Sequence, residues 1–183
     1  MNPLIQLHEH GQGFWLDTLS RPLIEDGELR HWIEECGLRG ITSNPKIFND
    51  ALTGSERYDE ELRLCLDQGF GTEQGIKRLM VSDVKAACRQ LHGVHEQSGG
   101  REGFVSIEVS PHLAFDDFRT IEEARELWLA VGERNQYIKV PGTPEGLRAV
   151  EELLFEGINV NITLLFGVAT YLSLIHISEP TRP

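Results

Sequence analysis

A lysine set between two β-branched residues, Ile138-Lys139-Val140, is the most informative position in this chain of 183 residues. In a short strand its ammonium faces desolvation whichever way it points, and desolvation favours the neutral amine. A neutral lysine amine attacks carbonyl carbon, and the product is a Schiff base. Asp17 and Glu108 supply two carboxylates at the ends of other apolar runs. Imine formation and carbon–carbon cleavage both need protons moved to and from oxygen, which such carboxylates can do. A buried ion pair of Lys139 with Glu108 or with Asp17 fits the same pattern, and the pattern alone does not choose between pair and nucleophile. Further polar groups fall at comparable places: Ser43 and Asn44 after one run, and Asn159, Asn161 and Thr163 along another. The last three alternate, so a strand would turn them to one side.

These groups need elements to hold them, and the chain alternates short apolar runs with helical periods. Phe14-Trp15-Leu16 reads as a strand stopped at Asp17-Thr18. Ile24, Leu29, Trp32, Ile33 and Cys36 then give one apolar helix face. Gly40 to Ser43 reads as a second strand, ended by Asn44-Pro45 because the residue before proline avoids helical angles. Residues 46–71 read as two short helices, the second capped by Ser55. Ile76, Met80, Val84, Ala87, Leu91 and Val94 mark a long amphipathic helix. Phe104–Val109 is a strand, Ile121–Val131 a helix and Tyr137–Val140 a strand. Thr143-Pro144 caps the next helix, and Ile158–Thr163 is a fifth strand.

Strands alternating with helices mean βα units and a parallel sheet. No G-x-G-x-x-G follows the first strand and no G-x-x-x-x-G-K-[ST] occurs, which disfavours dinucleotide and P-loop folds. The α/β pattern fits an (α/β)8 TIM barrel, whose chemistry sits at the carboxyl ends of the strands. Such barrels run to about 250 residues, so the pattern covers about the first five βα units, and the expected fold is an incomplete barrel.

Composition narrows the function classes. Asp plus Glu is 29 against 17 Lys plus Arg, a formal net charge of −12. A nucleic-acid partner calls for clustered Lys and Arg, and none is expected. The longest apolar runs fall well short of the roughly 20 residues that cross a bilayer. The start, MNPLIQLHEHGQGFW, lacks a basic segment leading into an apolar one. The expectation is a soluble, cytoplasmic chain with reduced thiols at Cys36, Cys65 and Cys88. Cys88, His92 and His95 share a helix face at metal-like spacing, but nothing else supports a metal, and none is expected. His8 and His10 read as part of a solvated N-terminal tail. The acidic cluster Glu56, Asp59, Glu60 and Glu61 reads as an exposed helix face, and the three tryptophans as packing.

The strand-end segments WLDTLS, GITSNPKIF, VSIEVSP and YIKVPGTPEGLRAVEELLFEGINVNITLLF resemble the transaldolase family, in the family's order, over about residues 12–171. The insertion around residues 50–70 is similar to that of the longer bacterial members. The resemblance implies a class I, Schiff-base transferase on an (α/β)8 barrel. It would move a dihydroxyacetone unit from sedoheptulose 7-phosphate to glyceraldehyde 3-phosphate, in the non-oxidative pentose phosphate pathway, without cofactor or metal. It implies Lys139 as the Schiff-base lysine and Asp17 as the acid/base that drives carbon–carbon cleavage. It implies Glu108 as an acid/base acting through a water that Thr163 positions. Asn44 and Asn161 would bind the hydroxyls of the three-carbon unit, and Ser43 stands where the family has Thr or Ser.

The resemblance stops near Tyr171. The family's phosphate-binding Ser and Arg follow a later strand, and nothing comparable occurs here. Residues 172–183, LSLIHISEPTRP, break the helical period and resemble the conceptual translation of a sequencing-library adapter. They are expected to form a non-native tail after a partial barrel domain of residues 1–171, and Arg182 is not expected to be the phosphate arginine. Two other readings accompany the transferase. One is a fructose 6-phosphate aldolase-like enzyme, which Glu108 disfavours because that group carries Gln at this strand position. The other is a non-catalytic fragment with unpaired sheet edges.

Overall fold

The computed structural model describes residues 2–178. The chain divides into two compact units. One comprises Met1–Ile107 with Val131–Gln136, the other Glu108–Ala130 with Tyr137–Pro183.

In chain order the strands are β1 (Phe14–Asp17), β2 (Leu38–Thr42), β3 (Phe104–Glu108), β4 (Gln136–Pro141) and β5 (Val160–Thr163). Their hydrogen-bonded order is β1-β2-β3-β4-β5. Sequential order with helical crossovers is how a barrel winds, whereas a doubly wound sheet reverses its order at a switch point. The fold is an incomplete α/β barrel of five βα units, as the alternating pattern implies.

In the first unit β1 and β2 run parallel, with Leu16 beside Ile41 and Asp17 beside Thr42. A bulge between Phe14 and Trp15 shifts the register there. Trp15 lies flat against Gly40, where a Cβ would come within 2.4 Å of the indole ring. Leu38, Ile41, Val105 and Ile107 of the strands are fully buried. The long helix α6 (Thr72–Gln97) buries Leu79, Asp83, Val84, Ala87, Cys88 and Leu91. Phe48, Tyr58 and Leu79 form a cluster of their own with Ala51, Leu52, Leu62 and Met80.

Three details of this unit differ from the sequence reading. Residues 2–10 do not form a tail. Pro3–Glu9 is a helix, α1, whose first turn Asn2 caps through its side-chain oxygen. His8 approaches Glu102 at 3.4 Å. The single helix expected between Ile24 and Cys36 is two, α2 (Arg21–Glu25) and α3 (Glu28–Cys36). Asp26-Gly27 is a turn pair, and Gly27 takes φ 84, which a side chain would resist. The acidic cluster is not wholly exposed: Glu61 is half-buried and pairs with Arg21 at 2.8 Å.

In the second unit β4 and β5 are parallel, with Lys139 beside Asn161 and Pro141 beside Thr163. Helices α7 (Asp117–Val131) and α8 (Pro144–Phe155) bury Ala124, Leu127, Ala149, Val150 and Leu153. The Thr143 hydroxyl accepts from Gly146 N–H, the expected cap, and also donates to the Ala114 carbonyl at 2.5 Å. A last helix, α9, runs Val168–Ser178 and so crosses residue 172, where the sequence reading ends the helical period. No glycine or proline stands between Gly167 and Pro180, so nothing in the chain stops the helix there. The remaining tail residues, Arg182 among them, lie outside the described residues.

Candidate active site

Five of the seven residues singled out from the sequence stand at or just beyond the carboxyl end of a strand, and Lys139 and Asn161 each lie two residues inside the end of their own. Asp17 is the last residue of β1, and Glu108 the last of β3. Ser43 and Asn44 follow β2, and Thr163 closes β5 two residues after Asn161.

The second unit brings four of them together. Lys139 is 8% exposed, and its Nζ lies 3.3 Å from Glu108 Oε2. The Val109 N–H donates to the Lys139 carbonyl, so Glu108 and Lys139 are neighbours across adjoining strands. Asn161 stands beside Lys139 on the other side, and register partners in a parallel pair project from the same face. Thr163 and Pro141 are the next such pair, and the Gly142 N–H ties the two strand ends by donating to the Thr163 carbonyl at 2.7 Å. The loop beyond Glu108 is anchored in turn: the Ser110 N–H donates to Glu123 on α7 at 2.7 Å. An amine, a carboxylate, an amide and a hydroxyl thus share one face of three strand ends. Such a group can attack a carbonyl, move a proton and hold a polyol.

The first unit carries the other three. Asp17 is exposed. Asn44 caps α4 (Pro45–Thr53), and its Oδ1 accepts from Ile47 N–H at 2.9 Å. That cap commits the side-chain oxygen, so the amide NH2 is the end that can donate to a ligand. Ser43 is 1% exposed, and its hydroxyl donates to the Ser106 carbonyl at 3.2 Å. Its observed contact joins β2 to β3 and fixes the residue before Asn44.

The other titratable candidates are engaged elsewhere. Cys88 is fully buried. Burial first, and then Glu133, push its thiol up to about 12; a thiol so poorly ionised is a weak nucleophile. His95 Nδ1 meets the Glu102 carbonyl at 2.8 Å, and its ring lies edge-on to Phe104. A cavity of about 490 Å³ in the first unit is lined by His8, Arg39, Arg101 and Glu102. Arg39 is near the start of β2, and Glu102 precedes β3, so it opens at the amino ends of those strands, away from the end where barrels do chemistry.

One polar cluster escaped the sequence reading. Asp83, 2% exposed in the middle of α6, accepts from the Tyr58 hydroxyl at 2.7 Å and from Arg21 Nε and Nη2 at 3.1 and 3.0 Å. Burial pushes its carboxyl above the usual range, although Tyr58 and Arg21 pull it back. The Tyr58 hydroxyl also rises, through burial and then the Asp83 hydrogen bond.

Consecutive βα units with a lysine and carboxylates on their strands belong to the α/β-barrel class, and sequence comparison narrows that class. The signature described as Transaldolase/Fructose-6-phosphate aldolase matches residues 14–178. Transaldolase 2 of Nostoc sp. is 43% identical over 175 residues, 96% of this chain and 46% of the relative. The transaldolase of Thiobacillus denitrificans is 45% identical over 169 residues, 92% of this chain and 47% of the relative. That of Neisseria meningitidis serogroup C is 46% identical over 157 residues, 86% and 44% of the two chains. The chain belongs to the transaldolase/fructose-6-phosphate aldolase family, and it spans about half the length of the curated relatives it matches. Among the described residues no helix is long and apolar enough to cross a membrane.

Proposed function

We propose that the full-length protein is a transaldolase, a class I transferase moving a dihydroxyacetone unit between sugar phosphates in the non-oxidative pentose phosphate pathway of the cytoplasm. The observation that carries the reading is the Lys139 amine, 8% exposed and 3.3 Å from Glu108, with Asn161 in register beside it. The amine of Lys139 adds to the ketose carbonyl. Glu108, through a water held by Thr163, supplies the proton with which the carbonyl oxygen leaves as water. Asp17 then takes the proton of the hydroxyl two carbons away. The carbon–carbon bond breaks, its electron pair moves into the iminium as an enamine, and the aldehyde departs. The enamine adds to the acceptor aldehyde, and hydrolysis frees Lys139. Amide groups at Asn44 and Asn161 suit the polyol hydroxyls of the retained unit, and the buried Ser43 holds Asn44 in place. No cofactor or metal enters these steps.

The family resemblance puts the phosphate-binding Ser and Arg beyond the fifth strand. The 183-residue chain by itself is therefore inferred to turn over poorly. Charge-assisted contacts of that kind contribute roughly 1.5–3 kcal/mol each.

The test is borohydride reduction of the full-length protein with fructose 6-phosphate, followed by peptide mass spectrometry. A reduced three-carbon adduct on Lys139 is expected. An adduct on another lysine, or none, would overturn the assignment. Release of free dihydroxyacetone without transfer would favour the aldolase-like reading instead.

A further inference from the structure

Asp17 leaves β1 into a segment held with unusual care. Its register is set opposite Thr42. Two residues on, Leu19 is fully buried. Ser20 then caps α2, its side chain accepting from Leu23 N–H at 3.3 Å. Arg21, the first residue of α2, is tied by backbone and side chain alike. Its N–H, one of the donors a helix start leaves without an internal partner, donates to the Tyr58 hydroxyl at 2.7 Å. Its guanidinium binds Asp83 by two nitrogens, Glu61 at 2.8 Å and the Arg57 carbonyl at 3.2 Å. It also lies 4.5 Å above the Tyr58 ring.

One oxygen relays this arrangement. The Tyr58 hydroxyl accepts from Arg21 and donates to Asp83, and the ring beneath it is locked edge-on against Phe48. Removing charged side chains from water is costly, and an apolar set of the same volume is often at least as stable. What the polar set supplies and an apolar one would not is direction: a planar fork and a hydroxyl accept one geometry.

We propose that the Arg21–Tyr58–Asp83 network is a positioning device for Asp17, fixing the segment that leaves β1 and with it the carboxylate that drives carbon–carbon cleavage. The inference rests on the transaldolase reading above. It assigns Arg21, Tyr58 and Asp83 as positioning residues that act through the backbone rather than on substrate. Lys139 and Glu108 belong to the other compact unit and to a different chemical step. Loosening the network should therefore slow cleavage and leave imine formation unchanged. A structural role alone would move both steps or neither.

The experiment uses the full-length protein, wild type and Tyr58→Phe, with fructose 6-phosphate in single turnover. Imine formation is read by borohydride trapping and cleavage by aldehyde release. Tyr58→Phe keeps the ring on Phe48 and removes only the relay oxygen. The expected result is an unchanged trapping rate and aldehyde release slowed about 10- to 100-fold, the scale on which a small misplacement of a reacting group acts. Arg21→Lys keeps the charge and loses the fork; it should give the same split, and it decides the matter if Tyr58→Phe does not fold. Folded variants whose cleavage matches wild type, or whose two steps fall together, would overturn the proposal. A wild-type protein that traps no imine would instead overturn the transaldolase reading on which it rests, and that outcome is visible before any variant is made.

Discussion

Two buried cation–carboxylate pairs, one in each compact unit, show how differently the same contact can be built. Arg21–Asp83 joins a group that stays protonated at any working pH to a carboxylate that also takes a hydrogen bond from Tyr58. Lys139–Glu108 joins a primary amine to a carboxylate on the next strand, in a contact of 3.3 Å. The first set is cross-braced, with side-chain exposures of 12% and 3%. The second is near the ends of its strands, and Glu108 keeps 19% of its side-chain surface. A pair meant to stay fixed takes a guanidinium and a second donor. On the transaldolase reading proposed above, the pair that exchanges protons takes an amine and an edge that water can reach.

The largest effect that can break this comparison is on turnover. In the full-length protein Lys139→Met is expected to reduce transfer by at least about 10⁴-fold, the scale on which loss of a covalent nucleophile acts. Its cost in stability should be small, because Glu108 can turn its exposed oxygen to water. Steady-state transfer and urea unfolding on the same preparation check both halves. A variant that retains a tenth of wild-type turnover would remove Lys139 from the mechanism.

Asp83→Ala should invert that pattern. It leaves the Arg21 guanidinium without its main partner in a nearly closed site. Breaking a buried pair on one side costs about 3–5 kcal/mol. Urea denaturation monitored by Trp fluorescence should show a correspondingly lower midpoint, with the slope unchanged. A loss under about 1 kcal/mol would mean that the pair behaves as an exposed one, and the contrast with Lys139–Glu108 would fail.

The asymmetry between the units also explains what the sequence could and could not disclose. The places of Lys139, Glu108 and Thr163 on their strands were legible because each occupies a short apolar run that ends in a turn, and a strand end is a local feature. The strand order followed from the same alternation. Asp83 was not legible. It lies 62 residues from Arg21 and 25 from Tyr58, and periodicity carries no information across such distances. The apolar face read on α6 is buried as read at Val84, Ala87 and Leu91, but toward the amino end it ran through the half-buried Ile76 and Met80, whereas the buried face there runs through Leu79 and Asp83. A carboxylate among buried apolar residues is assigned to solvent by any pattern that counts only apolar positions. The α1 helix was missed because PLIQLHE is too short to show a period, and its stability comes from the Asn2 cap and docking.

A smaller effect is expected where β1 meets β2. Trp15 packs on Gly40 so closely that a methyl group would lie 2.4–2.6 Å from three ring atoms. Gly40→Ala must push the indole or the strand aside, and overpacking of this kind costs about 1–3 kcal/mol. The shift should appear in thermal unfolding, and the bulge at Phe14/Trp15 gives the strand room to take up part of it. An unchanged melting temperature would show that the ring moves freely, and that β1 is held by its neighbours less tightly than the Arg21 network implies.

The smallest effect belongs to the outer face of the second unit, where ion pairs are solvated and carry none of the bracing seen at Asp83. Arg148 Nε donates to Asp117 Oδ2 at 2.6 Å, and Arg125 binds Glu156 through two nitrogens. Hydrogen bonds from these guanidinium groups hold both carboxyls below their usual range. A carboxyl whose folded pKa is lowered adds stability that is complete above its unfolded value, about 3.9 for Asp. That stability is lost as pH falls through the folded value. Asp117→Asn should therefore leave thermal stability near pH 7 slightly lower and flatten the loss as pH falls below the unfolded value. Salt should shrink the difference, since exposed charges are screened within a Debye length of about 10 Å at 0.1 M. The Asp83 network, shielded from water, should keep its contribution under the same salt. Melting temperatures of wild type, Asp117→Asn and Asp83→Ala at low and high salt would show this, and equal salt sensitivity of the two variants would erase the distinction between braced and solvated pairs.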